Sequence, residues 1–362
     1  MAQPPQRSAL AGGAGGRAGD YLGFPNPSSS FSPRAVIMSR PAVILQEVSP
    51  YRNLEAILEQ DRRAAHLYLH APENEGFGLK SCWVRNLAKA PPALDVAGMR
   101  NGESPMLPRG FCAFPNGQPP LDAARLSLLW LPEGDGVVLL EDGEMLAAIP
   151  PWSGMKGFHG YARDCIGEGP LCWRLEDPSD FDHRISEAKW FWETWDRPDH
   201  PWDVSQPRFL EAYEREFGRH QRYFAIDGDQ WPPKALARFK TGDDTVLLTL
   251  GVSLVPQPSV EMHFQDPENH RRIELAACFA PEASEEVVAW FTGWLAAQSG
   301  LPWANLTFLA NGHTIPCHPF PADQSLPPFQ AVLFLENPPG APQPVLPTIE
   351  GDKVTLLWAI PI

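Results

Sequence analysis

Several features that would identify a function directly are missing from this sequence of 362 residues. Its six cysteines include no Cys-x-x-Cys pair, and their scattered spacing does not resemble the disulfide framework of a small secreted protein. No apolar run approaches the roughly 20 residues that span a bilayer, and the N-terminus lacks the charged-then-apolar order of a secretory signal. These absences predict a soluble, cytoplasmic protein that does not bind membranes.

Basic residues are also few, with 29 Lys and Arg against 44 Asp and Glu, which gives a net charge of −15. An acidic surface repels nucleic acid phosphates, so no nucleic acid partner is expected. The same charge keeps a protein soluble and attracts a basic protein partner. The stretch GGAGG lacks the Gly-Lys-Ser/Thr continuation of a phosphate-binding loop, and no cofactor is predicted.

Proline, by contrast, is abundant, with 41 residues. Because proline removes a backbone donor and fixes φ, this composition favours a β-rich chain with long connections. Strand patterns with a few grouped helices predict the α+β class, with two domains that are each a mainly antiparallel sheet with helices on one side. Composition and pattern predict four segments: a disordered Ala/Gly/Pro/Ser-rich tail (1–40), an N-terminal α+β accessory domain (41–178), a Trp-rich connecting helix and linker (179–204), and a second α+β domain (205–362).

Local patterns predict individual elements in the N-terminal domain. NLEAILEQDRRAA, residues 53–65, is predicted to be a helix because Leu54, Ile57 and Leu58 share a helical face. In EDGE, the Asp142-Gly143 pair between two apolar runs predicts a hairpin turn.

In the C-terminal part, Ser205 is predicted to cap a helix that has Pro207 in its first turn. VEMHF and NLTFLA are predicted strands, and Cys278, within an apolar run, is predicted to be a buried thiol. Glu274 stands alone in the apolar strand RIELAACF, and a structural role is expected for it. It either pairs with Arg271 or Arg272 or faces solvent.

The order of motifs over residues 210–362 resembles that of the suppressor of fused domain. The resemblance is carried by FKTGDDTVLLTLGVSLVPQP, RRIELAACF, a helix with two tryptophans, LPWANLTFLANGHTIP, FQAVLFLE and VTLLWAIPI. CWVRNL, SPMLPRG, PPWSG and FHGYARDC, nearer the N-terminus, resemble the accessory region of bacterial members.

The resemblance implies a non-enzymatic protein-binding module of the bacterial type. The animal namesake sequesters transcription factors of the Hedgehog pathway, whereas bacterial relatives resemble immunity proteins that neutralise toxins. Nothing here matches the extended C-terminal region of the animal protein, so Hedgehog signalling is not expected. Strand addition at an exposed sheet edge is a contact mode open to such a module.

The stretch NGHTIPCHPF holds the strongest alternative, a hydrolase-type or metal-dependent enzyme that uses His313, Cys317 and His318. In an extended chain His313 and Cys317 are about 13 Å apart, too far to share one metal ion. Cys317 and His318 point to opposite faces of a strand, which does not suit a nucleophile beside its base. A structural role is therefore the favoured interpretation, and neither a catalytic nor a metal site is predicted.

The connecting segment KWFWETWDRPDHPWD is the predicted partner-binding region, since tryptophan is enriched at binding hot spots. Its candidates are Trp190, Trp192, Trp195, Asp199, Trp202 and Asp203. Trp192 and Trp195 share a helical face with Ile185 and Ala188, whereas Trp190 lies near another face. The alternative interpretation is that these tryptophans pack the helix between the two domains.

The loop FHGYARDC contributes a second set of partner-binding candidates, His159, Tyr161 and Arg163. A polar loop with local hydrogen bonds is the competing interpretation of this stretch.

Overall fold

The structure, a computed structural model, describes residues 41–175, 178–317 and 329–362. The predicted tail, residues 1–40, lies outside the described residues. Within them the chain forms three sheets and five α-helices.

The first sheet is an antiparallel meander of four strands in chain order: β1 (Ala42–Val48), β2 (Glu55–Gln60), β3 (Ala64–His70) and β4 (Leu79–Asn86). The helix predicted over residues 53–65 is therefore wrong. Ala56 and Leu58 are buried on one face of β2, which is the period of a strand. Asp61 then turns the chain, because its carboxylate accepts hydrogen bonds from the backbone N–H groups of Arg63 (2.6 Å) and Ala64 (2.9 Å).

The second sheet is also antiparallel, with its strands in chain order: β5 (Leu126–Trp130), β6 (Val137–Glu141), β7 (Glu144–Ile149) and β8 (Tyr161–Ala162). The short helix α1 (Val96–Arg100) lies in the proline-bearing connection between the first two sheets. The hairpin predicted at Asp142-Gly143 is confirmed. Both residues have positive φ, 53° and 85°, as a two-residue hairpin loop of the primed type requires.

Two helices connect these sheets to the third: α2 (Pro178–Trp195) and α3 (Pro201–Phe217). The predicted start of α3 at Ser205 is wrong, because the helix begins at Pro201 and Pro207 lies inside it. Both prolines are preceded by polar residues and suit a first helical turn, so the local sequence offers two possible starts.

The third sheet has seven strands: β9 (Arg222–Ala225), β10 (Ala235–Thr241), β11 (Asp244–Leu250), β12 (Arg272–Phe279), β13 (Thr314–Pro316), β14 (Ala331–Leu335) and β15 (Val354–Pro361). Their order is β13-β14-β15-β12-β11-β10-β9. All neighbouring pairs are antiparallel except β12 and β15, which are parallel. Helices α4 (Glu285–Gln298) and α5 (Leu301–Asn305) follow β12.

Both faces of the third sheet are covered by helices. Phe291 and Leu295 of α4 pack in one apolar cluster with Leu247 and Leu275 of the sheet. The rings of Phe209, Tyr213 and Phe217 on α3 pack in a second cluster, with strand residues that include Phe239 and Trp358. The predicted α+β class is confirmed, whereas the helices of this sheet lie on both of its faces and not on one side as expected.

Three smaller predictions for this region are wrong. The predicted strand VEMHF contains a 3₁₀ turn, Val260–Met262, and most of NLTFLA is irregular. Cys278 is exposed, because it lies on β12 where that strand pairs only with β11 near the end of the sheet. An apolar run in the sequence does not show which of its side chains are exposed where a neighbouring strand ends.

Glu274 is fully buried in the centre of this sheet, and it is partnered by neutral donors. Its Oε1 accepts hydrogen bonds from Gly251 N (2.9 Å), Ser253 N (3.1 Å) and Ser253 Oγ (2.6 Å), and its Oε2 accepts one from Thr249 Oγ1 (2.7 Å). The pairing considered with Arg271 or Arg272 is wrong, as is solvent exposure. Burial raises the pKa of Glu274, although these four hydrogen bonds oppose the shift. The side chain therefore fixes the turn that follows β11.

Replacing Glu274 should show this structural role. Glu274→Ala leaves two backbone N–H groups and two hydroxyls without their acceptor and should lower the free energy of unfolding by about 3 kcal/mol. Glu274→Gln keeps an acceptor oxygen and should lower it by about 1 kcal/mol. Urea unfolding measures both, with Glu282→Ala in an exposed turn as the control. A Glu274→Ala variant as stable as the parent chain would contradict the assignment.

Candidate partner-binding site

The tryptophans of helix α2 differ in how much of their surface is packed against other residues. Trp192 donates from Nε1 to the carbonyl of Trp130 (2.8 Å), and its ring contacts Phe191 and Trp231 at centroid distances of 4.9 and 5.2 Å. The Trp195 ring packs on Trp231 (5.4 Å). Trp190 is different, with 45% of its surface exposed. The spacing of Trp190 away from the packed face was visible in the sequence.

Trp190 borders a cavity of about 250 Å³ where α2 meets the β5–β6 turn and the third sheet. We call this cavity the junction cleft. Its lining residues are Pro132, Glu133, Glu187, Trp190, Phe191, Pro256, Arg271, Arg272 and Glu350.

The two arginines of the junction cleft are held by carboxylates of the same chain. Asp352, which is buried, accepts from Arg271 Nε (2.7 Å) and Nη2 (2.8 Å) and from Arg272 Nε (2.7 Å). Arg272 also donates from Nη2 to Glu350 (2.5 Å) and from Nη1 to the carbonyls of Ser253 and Leu254 (3.1 Å each). Burial raises the pKa of Glu350, against the opposing charge of Arg272. These contacts neutralise the floor of the cleft.

Two carboxylates of the junction cleft remain able to take further donors. Glu133 meets Arg184 at 3.8 Å, and the same arginine makes its shorter ion pair, 2.6 Å, with Glu261. Glu187 is about half exposed and lies 3.5 Å from His183. Since a carboxylate can accept about four hydrogen bonds, Glu133 and Glu187 can each bind a cationic group beside Trp190.

The turn that carries Glu133 also carries Asp135, which the sequence analysis missed. Asp135 is 3% exposed, and its Oδ2 accepts from Ser259 N (2.7 Å). Its Oδ1 has no hydrogen-bond partner among the described residues. Asp135 lines a second cavity of about 390 Å³, together with Lys80, Ser259 and Asn305. The glycines of PEGDG indicate a turn, but the sequence does not indicate that the carboxylate of Asp135 in this turn is buried.

Charges on several elements set the protonation of Asp135. Burial and the charges of Glu133 and Glu261 raise its pKa to about 7, against the hydrogen bond from Ser259 and the charge of Arg184. Lys80 also faces this carboxylate, and burial lowers the pKa of Lys80 despite the charge of Asp135.

Asn53 fixes the position of this turn relative to α5. Its buried side-chain amide donates to the carbonyl of Gly134 (3.2 Å) and to that of Trp303 (2.8 Å). One side chain thus connects the β5–β6 turn with helix α5, which lies between strands β12 and β13 in the chain.

The remaining candidates of the connecting segment lie apart from the junction cleft lining. Asp199 and Asp203 are exposed near the start of α3. Trp202 is half-buried against the α3 face of the third sheet, where a Cβ placed on Gly251 would come within 2.6 Å of Trp202 Cζ3. Which of these residues contact a partner remains a prediction.

The loop candidates belong to the second sheet and its ion pairs. Tyr161 is half-buried against the rings of Phe158 (4.8 Å) and Phe181 (5.8 Å). Arg163 donates to Glu141 (2.8 Å) and to Asp164 (3.3 Å). His159 is half-buried beside them, and the three remain predicted binding residues.

The alternative site at His313 is not assembled as a catalytic or metal site among the described residues. His313 contacts Phe308 (5.2 Å) and lines a cavity with His270 and Glu336. Cys317 is buried in the apolar core, where burial raises the pKa of its thiol, and His318 lies outside the described residues. In the part of the chain that the structure describes, no group of three or more His, Cys, Asp or Glu residues has a metal-binding arrangement.

Replacing Asp135 should change the pH dependence of stability. The folded-state pKa is raised above the unfolded value, so the folded state binds more protons and stability falls as pH rises from about 4 to about 7. Asp135→Asn removes this loss. Between about pH 5 and pH 8, the variant should gain roughly 3 kcal/mol in unfolding free energy relative to the parent chain.

Urea unfolding at the two pH values measures this difference, and Asp243→Asn, in an exposed turn, provides the control. Parallel pH profiles for Asp135→Asn and the parent chain would show that Asp135 stays ionised in the folded protein.

The comparisons with known proteins bear on the C-terminal part of the chain. Residues 234–362 match the family model of the Suppressor of fused protein (SUFU). No curated protein and no solved structure matches the chain. In the described residues, no helix is both long and apolar enough to cross a membrane. The match covers the third sheet from β10 to β15 together with α4 and α5, and it confirms the resemblance seen in the sequence for these residues. Residues 234–362 are therefore a suppressor of fused domain, which indicates a protein-interaction module.

Proposed function

We propose that this chain is a non-enzymatic binding protein that holds a basic segment of a partner protein in the junction cleft. The observation that carries the proposal is the exposed Trp190 side chain beside Glu133 and Glu187. An indole face attracts Lys or Arg cations and covers their methylene groups, and neighbouring carboxylates accept their hydrogen bonds. The family match supports protein binding, and the cleft supplies the chemistry for a basic partner.

The overall charge of −15 supports the same class of partner. An acidic surface accelerates the encounter with a basic protein, and the effect weakens with added salt. Binding in the cleft would occlude the partner segment, which is the mechanism by which a non-enzymatic protein can inhibit.

Neutralisation of a toxin is the form of this function that we propose for a bacterial cytoplasm. It rests on the resemblance of this chain to bacterial members of the family, which themselves resemble immunity proteins. In this proposal residues 41–178 form an accessory domain, residues 179–204 connect the domains, and residues 205–362 form the suppressor of fused-like domain. The loop with His159, Tyr161 and Arg163, and the exposed Asp199 and Asp203, extend the contact surface.

The partner can be identified by recovery of the tagged chain from lysate of its source organism, followed by mass spectrometry and titration of the purified partner. Trp190→Ala should weaken binding at least about 30-fold, as truncation of a tryptophan hot spot does. The double variant Glu133→Gln/Glu187→Gln should weaken it further and reduce its dependence on salt.

Leu79→Ala is the matched control, because Leu79 is an exposed apolar side chain of β4 outside the junction cleft. It should bind as the parent chain does. Recovery of no stoichiometric partner, or equal binding by Trp190→Ala and Leu79→Ala, would contradict the proposal. The unfolding free energy of each variant separates lost binding from lost folding.

A further inference from the structure

Four of the six cysteines gather in one apolar core, although they come from three separate segments of the sequence. They are Cys82, Cys112, Cys165 and Cys172, each at most 2% exposed. All four are free thiols. We call them the thiol cluster. Among the described residues they are not part of a group of three or more side chains arranged to hold a metal ion.

Cys165 lies at the centre of the thiol cluster. It forms an antiparallel bridge with Cys112, which places these two residues side by side. With Cys172 it makes a side-chain contact. The Cys165 thiol donates to the carbonyl oxygen of Cys172 (3.3 Å), and the two side chains are close enough for each to shift the pKa of the other.

The thiols of this pair differ in acidity. The neighbouring Cys172 side chain lowers the pKa of Cys165, against burial, and the backbone N–H groups of Gly169 and Ile166 add to the effect. Burial, and the contact with Cys165, raise the pKa of Cys172. Because the thiolate is the nucleophile, Cys165 is the reactive member and Cys172 is the proton donor beside it.

The chain between the two thiols lies at the surface. Ile166, directly after Cys165, is 44% exposed, and Gly167 and Glu168 are also exposed. A small oxidant therefore needs only a local movement of this loop to reach Cys165.

We propose that Cys165 and Cys172 are a peroxide-sensitive dithiol that closes to an intramolecular disulfide. The Cys165 thiolate attacks one oxygen of hydrogen peroxide, the O–O bond breaks, and the leaving hydroxide takes up the thiol proton as water. Cys165 is then a sulfenic acid. The Cys172 sulfur attacks Cys165 Sγ, the S–O bond breaks, and the second oxygen leaves as water with the Cys172 proton. The two sulfurs together lose the two electrons that the peroxide gains.

Closure of this disulfide would fix a loop that is paired with the second sheet at its far end. Ala162 N donates to Trp173 O (3.0 Å), and Trp173 N donates to Gly160 O (2.9 Å). The loop therefore borders the stretch that carries His159 and Tyr161, so oxidation sets the mobility of that surface.

Peptide mapping of the full chain tests the proposal. Cys278→Ser first removes the exposed thiol. The reduced protein is treated with hydrogen peroxide, alkylated and digested with trypsin. Cleavage after Arg163 and Arg174 leaves both cysteines in one peptide, residues 164–174, and Cys112 in another, residues 110–125. We expect peptide 164–174 to carry no alkyl group on either cysteine and to be lighter by two hydrogen atoms than the reduced, unalkylated peptide. Dithiothreitol should restore both thiols.

Cys112→Ala is the matched control and should form the same oxidised peptide, whereas Cys172→Ala should not. Two results overturn the proposal: alkylation of both Cys165 and Cys172 after peroxide treatment, or a cross-link between peptides 110–125 and 164–174. The decisive peptide comes from the chain with all four clustered thiols intact, so the result does not depend on whether a core variant folds.

Discussion

The burial of Arg272 and Asp352 against each other is the constraint on which the junction of this protein depends. Arg272 is the first residue of β12, and Asp352 lies two residues before the start of β15. Their side chains are 3% and 2% exposed, and removal of either partner would leave the other buried charge with only its second ion pair, to Glu350 or to Arg271. The guanidinium also binds two carbonyls of the turn after β11. One ion pair thus fixes the parallel pairing of β12 with β15 and the floor of the junction cleft.

Much of the fold could be predicted where a local pattern permits one structure. Asp142-Gly143 has the backbone freedom that a two-residue hairpin turn demands, and α4 has the period and N-cap of a helix. Residues 53–65 could not be predicted in this way, because Leu54 and Leu58 share a face in a helix and in a strand alike. The turn at Asp61 and the pairing of β2 with β1 and β3 decide the outcome, and the second of these is not a local property.

The candidate site was partly accessible from the sequence. Trp190 could be separated from Trp192 and Trp195 by helical spacing alone. Glu187 lies three residues before Trp190 on the same helix, whereas Glu133 and Glu350 could not be found, because they come from distant segments that only the tertiary fold brings to this helix. The thiol cluster has the same origin, since four isolated cysteines carry no spacing signal. A sequence pattern that spans a few residues cannot predict which side chains the packing of different sheets brings together.

The two hydrogen bonds of the Asn53 amide have a consequence for how a partner would be received. Because they hold the β5–β6 turn, which supplies Pro132 and Glu133 to the junction cleft, that wall of the cleft is preformed and requires little ordering on association. The conformational entropy lost in the complex then comes mainly from the partner segment. An unstructured basic segment would become ordered when it binds. Its lifetime in the cleft would depend on how many of its side chains must lose their contacts before it dissociates.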